Sequence, residues 1–144
     1  MASHVESSLR TTMESRMENL SEEAKKAAIA CGEAINSLKY RPFENYEICD
    51  DPANLVNASE DFLKIFVPSI TTRPFPSRVN ALRITSGSAI VPVKPGASVE
   101  LVPVFIICGT ASILDTKLNL GDFIHLTKDT PVEPAFCCLL LLAQ

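Results

Sequence analysis

The 144 residues carry a net charge of −4, with 47% hydrophobic residues and a mean hydropathy of +0.18, which excludes a disordered chain and a wholly basic nucleic-acid binder. A single domain of this length buries a real core, and with no Trp and only 6% aromatics that core must be aliphatic. The charge is uneven: residues 1–62 hold 6 Lys/Arg against 12 Asp/Glu, and residues 63–144 hold 7 against 5, so the halves attract within one molecule or between copies.

Residues 5–39 are predicted to be helical. Apolar or small residues recur at Val5, Leu9, Met13, Met17, Leu20, Ala24, Ala28, Cys31, Ile35 and Leu38, close to the α-helical period. Ser21-Glu22-Glu23 is a good N-cap with an acidic first turn, so the segment is either one helix or two that divide near Leu20. Leu9, Met13, Met17 and Leu20 form a candidate self-association face. The Ala and Cys that follow allow another backbone to approach closely. Gly32 lowers the propensity of this second part by roughly 1 kcal/mol relative to Ala. Residues 1–41 are therefore read as a helical arm or helical hairpin.

Residues 42–144 are expected to form a compact domain. Pro42 and Asp50-Asp51-Pro52 punctuate a connector. Short helices are expected within 52–66, one from Pro52 to Val56 and another capped by Ser59 and ended by Pro68. From Arg78 the pattern becomes that of strands: Arg78–Ile84, Ala89–Lys94, Ser98–Cys108, Ala111–Leu114, Phe123–Thr127 and Ala135–Leu142. Pro95-Gly96 suits the centre of a type II turn. Pro92 and Pro103 cannot donate to a ladder, and each marks an edge or a bulge. The last strand, Phe136 to Leu142, has no polar residue on either face and must be covered on both. The expected fold is α+β: an N-terminal amphipathic helical segment followed by an antiparallel β-sandwich or barrel of five or six strands over residues 78–142.

Chemical motifs are sparse. No two of the five glycines lie within eight residues of each other, which excludes the dinucleotide fingerprint and the P-loop. There is no C-x-x-C pair, and the histidines are His4 and His125 alone. Cys108, His125, Cys137 and Cys138 share the strand half, but adjacent strand residues face opposite ways and do not converge on one metal. His125 alternates with Ile124 and Leu126 and reads as a surface residue of a half-buried strand. A triad of Cys108, His125 and Asp115 has no spacing that demands it. Asp50-Asp51 and Glu60-Asp61 sit where acids favour helix starts. Arg73, Arg78 and Arg83, with Phe75 nearby, form the one locally basic stretch and a candidate nucleic-acid or anion contact.

These features point to a non-catalytic protein that self-assembles or binds a protein partner, with no cofactor and no metal. A homo-oligomer is the first expectation, and nucleic-acid contact ranks below it. No apolar run reaches the roughly 20 residues of a membrane-spanning helix. Five cysteines, an odd number with no secretory signal ahead of them, suit a reducing, cytoplasmic setting. Compact β-domains with a helical arm are common among small viral structural and accessory proteins, an analogy of architecture only. The alternatives are a small-ligand carrier with a β-barrel cavity and an enzyme with a dispersed site around His125.

Overall fold

The computed structural model describes residues 17–71 and 73–144. In chain order the elements are β1 (Met17–Asn19), α1 (Glu22–Asn36), β2 (Tyr40–Phe43), β3 (Tyr46–Cys49) and α2 (Pro52–Phe66), with a 3-10 turn at Val67–Ile70. Then follow β4 (Arg78–Ile84), β5 (Ala89–Val91), β6 (Ser98–Ile106), β7 (Ser112–Ile113), β8 (Thr116–Lys117), β9 (Asp122–Leu126), β10 (Thr130–Glu133) and β11 (Phe136–Ala143). Seven strands form one sheet in the order β1-β9-β6-β11-β4-β3-β2, and four form a second in the order β5-β10-β7-β8. All pairings among the described residues are antiparallel. The fold is therefore α+β, as expected, with eleven strands among the described residues rather than five or six.

β11 organises the layers. Phe136, Cys138 and Leu140 point into the core between the sheets, and Cys137, Leu139 and Leu141 point into the core beneath the helices. All six are buried. At roughly 1.5–3 kcal/mol for each large side chain so buried, this strand is a major part of the hydrophobic stabilisation. Both faces are covered, one by the four-stranded sheet and the other by α1 and α2, giving three layers.

Proline and glycine fall where their chemistry requires. The β6–β11 register slips between Cys137 and Cys138, which lie opposite Phe105 and Pro103 respectively. On its other side β6 pairs with β9 only through Val99, Glu100 and Leu101. Val104 is thus the extra residue of a bulge, and Pro103 flanks it, where the ladder is already irregular. Pro95-Gly96 forms the expected turn, with Gly96 at φ +82° and Ala97 N–H donating to the Lys94 carbonyl at 3.0 Å.

α1 begins at Ser21, whose hydroxyl accepts from Ala24 N–H at 3.1 Å. Its buried stripe is Ala24, Ala28, Gly32 and Ile35. A Cβ built at Gly32 would lie 1.9 Å from the Val104 carbonyl oxygen, at the bulge of β6. Small residues on this face let the helix axis approach the sheet backbone.

Three expectations need correction. The helix does not extend back through residues 17–20, because Met17–Asn19 pair with β9 (Met17 opposite Ile124), and Leu20 N–H donates to the Gly121 carbonyl at 2.8 Å. A helix there would leave the β9 edge unpaired. The expected boundary at residue 41 falls inside β2, which pairs with β3, and α1 shares a core with the seven-stranded sheet. The two short helices expected within 52–66 are one. Ser59 caps nothing: it is buried in α2 and donates its hydroxyl to the Leu55 carbonyl at 2.7 Å, which satisfies it inside the helix. The other strands missing from the sequence reading, β2, β3, β8 and β10, are two to four residues long, too short to show a period.

Gly32→Ala is expected to lower stability by about 1–3 kcal/mol through overpacking, despite Ala's better helix propensity. Equilibrium urea unfolding checks this, with a reduced midpoint at unchanged slope as the expected result.

Candidate functional site

Glu100 carries a carboxylate in the middle of the apolar run of β6. Its neighbours Val99 and Leu101 face the inter-sheet core, so Glu100 faces the helix layer and is only 3% exposed. A buried charge needs partners, and three elements supply them. Arg73, after the 3-10 turn, donates to Glu100 at 2.8 Å and also to Glu18 of β1. His125 of β9, directly opposite Glu100, bonds the second carboxylate oxygen through Nδ1. The Arg73 guanidinium also stands 5.6 Å from the Phe123 ring centroid. Burial works against the Arg73 charge, and the two carboxylates outweigh it, holding its pKa above the ordinary arginine value. A cleft of about 240 Å³ lies beside this cluster, lined by Glu18, Ser21, Phe66 and Arg73 among others. The cluster ties β1 and the loop before β4 to the centre of the large sheet. His125 is on the face opposite Ile124 and Leu126, as read from the sequence, but it is half-buried and paired.

The three arginines of the basic stretch go to different places. Arg83 donates to Glu47 at 2.9 Å and to the Asn36 carbonyl at 2.7 Å, and its guanidinium lies 4.2 Å from the Tyr40 ring centroid. It therefore places a cation at the C-terminus of α1, which has no basic residue in its own last turn. Tyr40 donates its hydroxyl to the Ile35 carbonyl at 2.9 Å, completing that helix end. Arg78 is exposed and, unlike Arg73 and Arg83, makes no ion pair among the described residues. Phe75, on the loop between Arg73 and Arg78, is 80% exposed. Arg73 and Arg83 thus link the basic half of the sequence to acids of the acidic half, Glu18 and Glu47, inside one molecule.

The residues of the candidate self-association face divide. Met17 packs against the inter-sheet core and Leu20 is buried beneath the helices, so both serve the chain's own fold. Leu9 and Met13 lie outside the described residues.

Cys108, His125 and Asp115 are not brought together. Asp115 is in the β7–β8 turn of the small sheet, on the opposite side of the large sheet from His125. Cys108 lies past the end of β6, and that end is itself about 20 Å along the strand from the Glu100–His125 pair at 3.3 Å per residue. Cys137 and Cys138 face different cores. Among the described residues no group of three His, Cys, Asp or Glu is placed to hold a metal ion.

All five cysteines are free thiols. Burial pushes Cys31 and Cys137 up to about 11 and raises Cys49 and Cys138 as well. Cys108 is exposed, and a hydrogen bond from the Thr110 hydroxyl, at 3.4 Å, lowers its pKa. The thiolate is the reactive form.

The open side of the molecule presents a different surface. The β2–β3 hairpin and β5 border a cleft of about 450 Å³, lined by Phe43, Glu44, Asn45, Tyr46, Ile90 and Pro92. Phe43 is 42% exposed and Ile90 56% exposed. β2 and β5 are the outermost strands of their sheets, so both carry unpaired backbone edges here. Arg41 and Pro42 blunt the β2 edge. β5, Ala89-Ile90-Val91, has neither charge nor proline. Sequence reading missed Glu18, Glu100, Phe43 and Ile90. Only Glu100 had a signal, a lone carboxylate in an apolar strand.

No family model and no curated protein sequence matches this chain. Among the described residues no helix is long and apolar enough to cross a membrane.

Two outcomes are expected. Arg73→Ala should cost about 3 kcal/mol in chemical denaturation, because it leaves Glu100 buried with a broken pair. At pH 8 a thiol reagent should modify Cys108 rapidly, the half-buried Cys31 and Cys49 more slowly, and Cys137 and Cys138 only after unfolding, and Cys108→Ser should abolish the fast phase.

Proposed function

We propose that this chain is a non-catalytic protein that acts by self-association, through the open side of the sandwich where β5 ends the small sheet. The observation that carries this reading is the apolar cleft between two unpaired strand edges, with Phe43 and Ile90 exposed on it. A second copy is the favoured occupant. The uncharged β5 edge can pair with its own counterpart about a two-fold axis, burying Ile90 and Phe43 of both molecules. The proposal does not depend on a helical arm. A cytoplasmic location accompanies it, supported by the five free thiols. A structural or accessory role in a viral assembly remains compatible with this architecture and rests on analogy.

An enzyme built around His125 ranks lower because His125 is held by Glu100, whose other carboxylate oxygen accepts from Arg73. A carrier with a central cavity ranks lower because Phe136, Cys138 and Leu140 fill the space between the sheets that would hold it.

Light scattering at two salt concentrations tests the proposal. The wild-type chain is expected to give the mass of a defined oligomer, and Ile90→Asp with Phe43→Asp to give a monomer of unchanged fold. A wild-type monomer at every concentration would sink it.

A further inference from the structure

A second cleft, of about 300 Å³, lies at the end of the sandwich where the two sheets part. Its walls include Val93, Ala97, Val99 and Leu142, and it opens beside Arg78 and Lys94. No Asp or Glu side chain lines it. Neither cation makes an ion pair among the described residues. The placement follows from local structure. Arg78 opens β4 directly opposite Leu142, and Lys94 precedes the tight Pro95-Gly96 turn that returns the chain to β6. In a chain with more acids than bases, two unpaired cations over one apolar cleft, with no acidic side chain among them, make a surface complementary to an anion with an apolar tail.

We infer that this cleft binds a small amphipathic anion, an aliphatic carboxylate whose tail lies between Val99 and Leu142 and whose head group meets Arg78 and Lys94. The volume sets the length. At about 30 Å³ per heavy-atom group, the share of a water molecule in the liquid, 300 Å³ holds a chain of about ten carbons. The size is at the lower end of small-ligand pockets, roughly 300–1,000 Å³. The site is peripheral, so it does not require the filled interior of the sandwich to open. It shares Phe43 and Pro92 with the self-association cleft but not Ile90.

Isothermal titration of the full chain with sodium decanoate is the test. Saturable one-to-one binding is expected, with a dissociation constant of roughly 0.1–1 mM. Arg78→Glu with Lys94→Glu should weaken it at least tenfold, about the effect of removing charge-assisted contacts. Arg78→Lys with Lys94→Arg should retain it. Both positions are exposed, and circular dichroism confirms that the fold is kept. Decyltrimethylammonium, with the same tail and the opposite charge, should bind at least tenfold more weakly than decanoate. Absence of saturable decanoate binding, equal affinity in the charge-reversed variant, or equal binding of the cation would each overturn the inference. Ile90→Asp keeps the two proposals apart, since it should abolish self-association and leave decanoate affinity unchanged.

Discussion

An eight-residue strand with no polar side chain cannot face water on either side, and the rest of the molecule is arranged around that constraint. β11 lies at the middle of the seven-stranded sheet, between β6 and β4. Its odd and even side chains enter two different cores. One cover is a second sheet, reached because the chain crosses repeatedly between sheets from β4 to β11. The other is the helix pair. α1 can lie close because its inner stripe is Ala24, Ala28 and Gly32, and because the bulge of β6 turns the Val104 carbonyl toward it.

Electrostatics complete what burial begins. The acidic N-terminal and basic C-terminal halves meet within one molecule at two arginines. Arg73 joins Glu18 of an edge strand to Glu100 near the middle of the sheet. Arg83 joins Glu47 to the carbonyl end of α1. Both positions are half-buried, where a charge-assisted bond is worth more than at an exposed surface. These contacts use for structure the groups that looked most available for ligands or catalysis. What remains on the surface is of another kind: apolar side chains between unpaired strand edges, an exposed Phe75, and two cations beside a cleft.

The same division explains why the helical stripe at the N-terminal end misleads. Met17 and Leu20 fit a helical period with Ala24 and Ala28, yet they lie on opposite sides of the large sheet. Three residues of strand and a capped helix start reproduce, by coincidence of spacing, the apolar pattern of a longer helix. Pairing with β9 decides between them, since an isolated helix has little to stabilise it and an edge strand gains backbone bonds at once.

The sequence by itself determined much of this. It placed β4 and the bulk of β5, β6, β9 and β11, the N-cap at Ser21, the turn at Pro95-Gly96, the need to cover β11 on both faces, and the exclusion of the common phosphate-binding loops. Each rests on a local signal: alternation, a capping side chain, a special backbone angle, or glycine spacing. Only the tertiary structure decided β1, β2, β3, β8 and β10, short segments that exist through the partner they pair with. It alone fixed the fates of Arg73 and Arg83, whose carboxylate partners lie 27 to 55 residues away in sequence. It alone placed Phe43 and Ile90 on one cleft, since exposure depends on which strand ends each sheet. A contact between distant residues leaves no mark in either local sequence, and that is where the candidate sites of this protein lie.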